Sequence, residues 1–370
     1  MTEEQLKMDY KKCLSLPRGK ERMDTFQDLI RRADLIKAHS LSKYFRWMYS
    51  SELMEYGDQG KVFPLVAEYI ALRETEKQWT PPDGEDGLVF MVDYCMEVLC
   101  YLPQIPLKQA EQIIAKFDKM ILYNRFGRRL FYQRLFRFYG DIDTLKALEF
   151  LKKFKSPRRD LFSDCRACEQ ADMVRLFFRM GDMATAENLA SPIFDGLMKC
   201  HDVPRNIWLL YLQRALDYKE LSKASSLAES LYATSTLGDP SDLGYFGAIL
   251  RCWTFTAPKK ATKLFKRYLI HWEVLWDKQK WFSFIVGAWV YCKVQKAHIK
   301  TLKLELPSHC PFWKETNIYD LAQLEDWFYL QAVDIANKFD ARNGTNRYTL
   351  ALNRAKFSIN YKEGEKFWLV

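Results

Sequence analysis

Two cysteines, Cys165 and Cys168, stand three positions apart in FSDCRACEQADMVRLFFRMGD (162–182), just ahead of an apolar run with helical period. A third, Cys200, follows further along the chain with His201 beside it. Three thiolates and an imidazole would suit tetrahedral zinc, which favours soft sulfur and nitrogen ligands. The spacing is not that of a zinc finger, and adjacent residues such as Cys200 and His201 rarely hold one ion without distorting the backbone. Asp164 or Asp202 are therefore alternative fourth ligands. A thioredoxin-type redox pair would need a βαβ context that this sequence does not offer. The non-chemical reading is that small thiols pack a helix junction. Structural zinc is accordingly the only cofactor considered, and none is required.

One polar stretch stands out near the C-terminus. In FDARNGTNRY (339–348), Asp340, Arg342, Asn343 and Asn346 surround a glycine, an arrangement that would present a phosphate- or carboxylate-binding loop. The plainer reading is a helix stop at Asn343–Gly344 with a local Asp340–Arg342 ion pair. No phosphate-binding glycine loop, dinucleotide fingerprint, HExxH or GxSxG motif occurs, and the five histidines share no motif. A non-enzymatic protein is expected.

What must position these residues is a helical chain. Glycine (15) and proline (13) are scarce among 370 residues, which favours long helices over many short strands. Aromatics at 15% must fill a core or line a groove. No run approaches the length of a membrane span, so no membrane partner is expected. The charged opening MTEEQLKMDYKKCLSL has no apolar signal core, and nine scattered cysteines suit reduced thiols, so a cytoplasmic location is expected. The net charge of +9 is spread along the chain and mildly favours an acidic partner.

A repeat runs through the middle. IPLKQA (105–110), YGDIDTLKA (139–147), MGDMATA (180–186), YKELSKA (218–224) and TAPKKA (256–261) each read as a polar turn entering a helix with an alanine on its buried face. Those alanines, at 110, 147, 186, 224 and 261, are spaced by 37, 39, 38 and 37 residues. An apolar-periodic run lies on both sides of every turn, so each unit is a helical hairpin, with alanine at the closest crossing. The units resemble tetratricopeptide repeats, best in MGDMATAENLA and YGDIDTLKALEF, over roughly residues 86–275. The period exceeds the usual 34 and the Trp-x-x-Leu-Gly opening is absent.

The resemblance implies an all-α fold, a right-handed α-solenoid of stacked antiparallel hairpins. Residues 1–75 read as atypical N-terminal hairpins, 76–87 as a loop carrying Pro-Pro-Asp-Gly, 88–299 as the repeat array and 300–370 as a helical cap and tail. TLKLELPSHCPFW reads as a short extended stretch or loop, DLAQLEDWFYLQAVDIANKFDARNG as a long helix, and RYTLALNRAKFS as another.

The resemblance also implies a protein- or peptide-binding scaffold: a regulator, adaptor or dedicated inhibitor. The first helices of the hairpins carry arginine at matching places, Arg137, Arg214 and Arg251 ten residues before their alanine and Arg175 eleven before. With Arg134, Arg179 and Arg205, and with Tyr132, Trp208 and Tyr211 interleaved, they would line a basic, aromatic groove for an acidic partner. The alternative is that arginine stems coat a solvated face. An RNA- or DNA-binding helical repeat is the second functional class, and a peptide-responsive transcriptional regulator the third.

Overall fold

A computed structural model describes residues 2–75, 87–122, 127–236, 242–269, 277–308 and 310–360. Most of the 76–87 loop, His271, His309 and the C-terminal tail lie outside the described residues. The described chain is helical apart from one two-stranded ribbon, and it divides into two compact units, Met1–Asp164 and Cys165–Val370. That division falls inside the stretch 88–299 read as one array.

The first unit contains α1 (Glu3–Ser15), α2 (Lys20–Leu35), α3 (His39–Tyr56), α4 (Val62–Thr75), α5 (Gly87–Tyr101), α6 (Leu107–Leu122), α7 (Arg128–Tyr139) and α8 (Thr144–Lys155). Consecutive helices pack on one another, and α5 packs against α3 and α7 as well as its neighbours. The second unit contains α9 (Arg166–Met180), α10 (Met183–Phe194), α11 (Arg205–Asp217), α12 (Leu221–Thr234), α13 (Leu243–Thr256), α14 (Pro258–Tyr268), α15 (Lys278–Gln295), α16 (Leu321–Asn343) and α17 (Arg347–Asn360). Strands β1 (Thr301–Lys303) and β2 (Ile318–Asp320) pair antiparallel ahead of α16, with Leu302 opposite Tyr319.

The five repeat segments are the turns of α5/α6, α7/α8, α9/α10, α11/α12 and α13/α14. All five alanines are buried, none more than 1% exposed, because any larger side chain there would hold the two helices apart. The turn chemistry explains the Gly-Asp pair. Gly181 ends α9 in the left-handed region (φ 78°), its N–H donating to the carbonyl of Phe178 while that of Asp182 reaches Phe177. Asp182 then caps α10 by accepting from the Thr185 N–H at 3.1 Å. In the next hairpin Lys219, not glycine, takes the left-handed turn position (φ 56°). Asp143 caps α8 and Pro258 opens α14, each suited to a first helical turn.

The core of the second unit centres on α15, which is buried on every side: Phe284, Ile285, Ala288, Val290 and Tyr291 have essentially no exposed surface. It lies against α13 where two glycines meet. A Cβ on Gly287 would stand 2.2 Å from the carbonyl oxygen of Gly247, and one on Gly247 2.3 Å from that of Ser283. The two backbones touch there.

Candidate functional site

The cysteines come together as the hairpin geometry requires. Cys165 is the N-cap of α9, its Sγ accepting from the backbone N–H of Cys168 at 3.3 Å. Cys200 sits in the connection between α10 and α11, where its own N–H donates to the carbonyl of Val203 at 3.0 Å. The antiparallel return of α10 brings that connection back to the start of α9. Cys168 and Cys200 Sγ are 3.4 Å apart, and the three sulfurs all lie within 4.8 Å of one another. Cys165 is exposed, while Cys168 and Cys200 are half-buried. Burial, reinforced by the neighbouring thiols, pushes the Cys168 thiol well above its ordinary range. The other six cysteines are buried.

His201 does not join them. Its ring is largely exposed, and Nδ1 faces Asp202 Oδ1 at 3.2 Å and an Arg205 terminal nitrogen at 3.3 Å. The group of mutually close ligand atoms contains the three thiols alone among the described residues. Neither Asp164 nor Asp202 belongs to it.

The arginines read as groove-lining are engaged within their own units. Arg134, on α7, donates to Asp93 of α5 at 2.6 and 3.3 Å and to Asp164 at 2.9 Å, with Glu97 at 3.9 Å. Arg137 reaches Glu97 at 3.3 Å and the Tyr101 hydroxyl at 2.9 Å. In the second unit Arg251 of α13 pairs with Asp217 of α11 at 2.9 Å and also donates to the Ser358 hydroxyl. Arg205 pairs with buried Asp242 at 2.8 Å and lies over the Tyr245 ring. Arg134, Arg205 and Arg251 are no more than 7% exposed, so they tie first helices of successive hairpins together rather than face a partner. For Arg134, Arg205 and Arg251 the recurrence therefore has an internal use. Desolvation, augmented by Glu97 and Asp164 and opposed by Arg134, raises the Asp93 carboxyl to about 6.

The remaining members of that set lie elsewhere. Arg175 pairs with Asp172 at 2.6 Å, Arg179 is half-buried, and Tyr132 and Trp208 are half-buried. Arg214 lies 4.7 Å over the Tyr218 ring and makes no ion pair among the described residues. Tyr211 borders a concavity. Together with Phe194, Leu221, Leu227, Glu220 and Lys223 it lines a space of about 620 Å³ between the end of α10 and the α11/α12 hairpin. Phe194 meets the Tyr211 ring edge-on at 5.0 Å, and Lys223 lies 6.0 Å from the same ring. Phe194 and Leu221 are exposed at 44% and 36%. The buried Tyr211 hydroxyl has no hydrogen-bond partner among the described residues. The sequence singles out Tyr211 as a groove residue, but carries no local signal that Phe194, Leu221 and Leu227 join it around a concavity.

Exposed cations cluster on two of the second helices. On α14, Lys259, Lys263, Lys266 and Arg267 are exposed while Ala261, Leu264, Phe265 and Tyr268 are buried; α8 exposes Lys152, Lys153 and Lys155. The polar groups of the FDARNGTNRY stretch make local hydrogen bonds between α16 and α17. Asp340 accepts from the N–H groups of Tyr348 and Thr349 at 3.0 and 2.8 Å, capping α17 from α16, Arg342 donates to Asn343 at 2.8 Å, and the Asn346 carbonyl accepts from Leu350 in the first turn of α17. Among the described residues no helix is long and apolar enough to cross a membrane. No protein-family model matches the chain, and no curated protein matches it.

Proposed function

We propose that the protein is a non-enzymatic scaffold of tetratricopeptide-like hairpins, a right-handed solenoid that binds a segment of an acidic protein partner in the cytoplasm. The concavity on α10, α11 and α12 carries this reading. Its wall of Phe194, Tyr211, Leu221 and Leu227 would take an apolar side chain of the segment. Lys223 at the rim and Arg214, one turn along α11 from Tyr211, favour acidic flanking residues. Buried aromatic anchors ringed by polar groups are the usual energetic centre of such contacts.

The basic face of α14 supports the second reading, nucleic-acid binding, because exposed lysines and arginine on one helix face match a phosphate backbone. A tagged pull-down from lysate, with and without nuclease, separates the two. Baits would be the native chain, Leu221→Glu/Lys223→Glu, and Lys263→Glu/Lys266→Glu. A stoichiometric protein that survives nuclease and is lost only from the first variant supports the scaffold. Nuclease-sensitive recovery lost from the α14 variant would replace it with nucleic-acid binding.

A further inference from the structure

The three thiols at the base of the α9/α10 hairpin have the makings of a metal centre. In a tetrahedral zinc site with Zn–S bonds of about 2.3 Å, neighbouring sulfurs are separated by about 3.8 Å. Here one pair is at 3.4 Å and every pair is within 4.8 Å, so the ligand triangle needs only sub-ångström adjustments. The site is also organised around its sulfurs. Cys165 Sγ already accepts a backbone N–H at the first turn of α9, where unpaired N–H groups and the helix dipole favour negative charge. The Cys200 loop is closed by its own Cys200–Val203 hydrogen bond and by Arg205, whose Nε donates to the His201 carbonyl at 3.1 Å. Arg205 is itself fixed by Asp242. Both sides of the triangle are thus held without the metal, and one thiol opens to solvent, which gives an ion a way in.

We propose that Cys165, Cys168 and Cys200 bind one Zn²⁺ ion as thiolates, with solvent in the fourth position, and that the ion fastens the start of α9 to the loop preceding α11. Binding displaces three S–H protons to solvent and leaves a singly negative centre. No residue is oxidised. Soft thiolate ligands select zinc over calcium or magnesium. His201, committed to Asp202 and Arg205, takes no part. The proposal is independent of the partner reading.

The test uses the full chain, purified under reducing conditions and stripped with a chelator. Zinc is titrated against a chromophoric competitor, and cobalt(II) is added in parallel as a spectroscopic probe. The expected result is one equivalent of tight zinc and a cobalt spectrum with tetrahedral d–d bands and charge-transfer intensity for three thiolates. Cys165→Ser and Cys200→Ser should each weaken zinc more than about 100-fold, beyond what outer partners alone cost. Cys165 is exposed and its substitution leaves packing intact, so loss of zinc there reports ligation. His201→Ala should stay within about threefold of the native chain, since it removes no ligand. Three results would overturn the assignment: zinc binding indifferent to the cysteine changes, binding lost equally with His201→Ala, or a Cys168–Cys200 disulfide in freshly quenched protein with no metal uptake after reduction.

Discussion

Replacing Gly247 with alanine adds one methyl group at the point where α13 and α15 touch. That Cβ would lie 2.3 Å from the Ser283 carbonyl oxygen, 2.5 Å from its carbon and 2.6 Å from the Phe284 Cα. Ordinary contact begins at 3.4 Å, so the helices must part by about 1 Å. The atoms met are backbone, and no side chain can rotate away. A radial gap of about 1 Å forfeits up to about half of each dispersion contact along the seam, where Phe246, Leu250, Phe284 and Ile285 are all fully buried. Overpacking of this kind costs about 3 kcal/mol or more, while the helical preference of alanine over glycine returns about 1. The net loss is about 2–3 kcal/mol, or roughly 4–12 °C in melting temperature for a unit of this size.

Guanidinium unfolding followed by tryptophan emission would measure it, since Trp253, Trp281 and Trp289 lie in this core. Gly287→Ala meets Gly247 in the same way and should cost as much. The double variant should cost about 1–3 kcal/mol less than the sum, because one separation relieves both clashes. Gly244→Ala, whose Cβ comes no nearer than 3.2 Å, to the side chain of Lys280, should be milder. A Gly247→Ala chain within about 0.5 kcal/mol of the native one, or strict additivity in the double variant, would refute the close crossing.

Other outcomes follow from the ion pairs, the turn and the thiols. Arg134→Met should destabilise by about 3–5 kcal/mol in urea unfolding, because it leaves Asp93 buried without its cation. With its carboxyl raised to about 6, Asp93 binds a proton more tightly in the folded chain than unfolded. Its stabilising contribution is therefore full below its ordinary value and is lost as pH rises through about 6, by about 2–3 kcal/mol in all. The stability difference between the native chain and Asp93→Asn should shift by that amount between pH 4 and pH 7, and a flat difference would sink the assignment. Lys219→Gly should stabilise by about 0.5–1 kcal/mol in thermal melts by relieving the left-handed lysine between α11 and α12. Saturating zinc at about 100 times its dissociation constant should raise unfolding stability by about 2.7 kcal/mol in the native chain and not in Cys200→Ser.

The helical hairpins were legible in the sequence because each leaves a local signature. An alanine recurs at 110, 147, 186, 224 and 261 because one small residue per crossing is a steric requirement, and Gly-Asp at 181–182 marks the end of one helix and the cap of the next. The cysteine triad was legible for the same reason: a hairpin of known length returns the chain to its start, so Cys200 had to approach Cys165 and Cys168. His201 shows where that logic stops. Adjacency in sequence fixes a Cα within a few ångströms but not the ring's direction, and here Nδ1 meets its near neighbours Asp202 and Arg205.

Tertiary structure decided the rest. The arginines recur along the chain, yet whether a guanidinium faces a groove or a carboxylate depends on helix phase, and the buried pairings of Arg134 with Asp93 and Asp164, Arg205 with Asp242 and Arg251 with Asp217 span 30 or more residues. Gly247 and Gly287 look unremarkable in two apolar runs 40 residues apart, and only the packing of α13 on α15 makes them obligatory. The concavity beside Tyr211 is likewise a property of three helices and of none singly. Local chemistry sets where helices start, stop and turn; the sequence holds the remaining information only as pairings between distant positions, which become visible when the chain is folded.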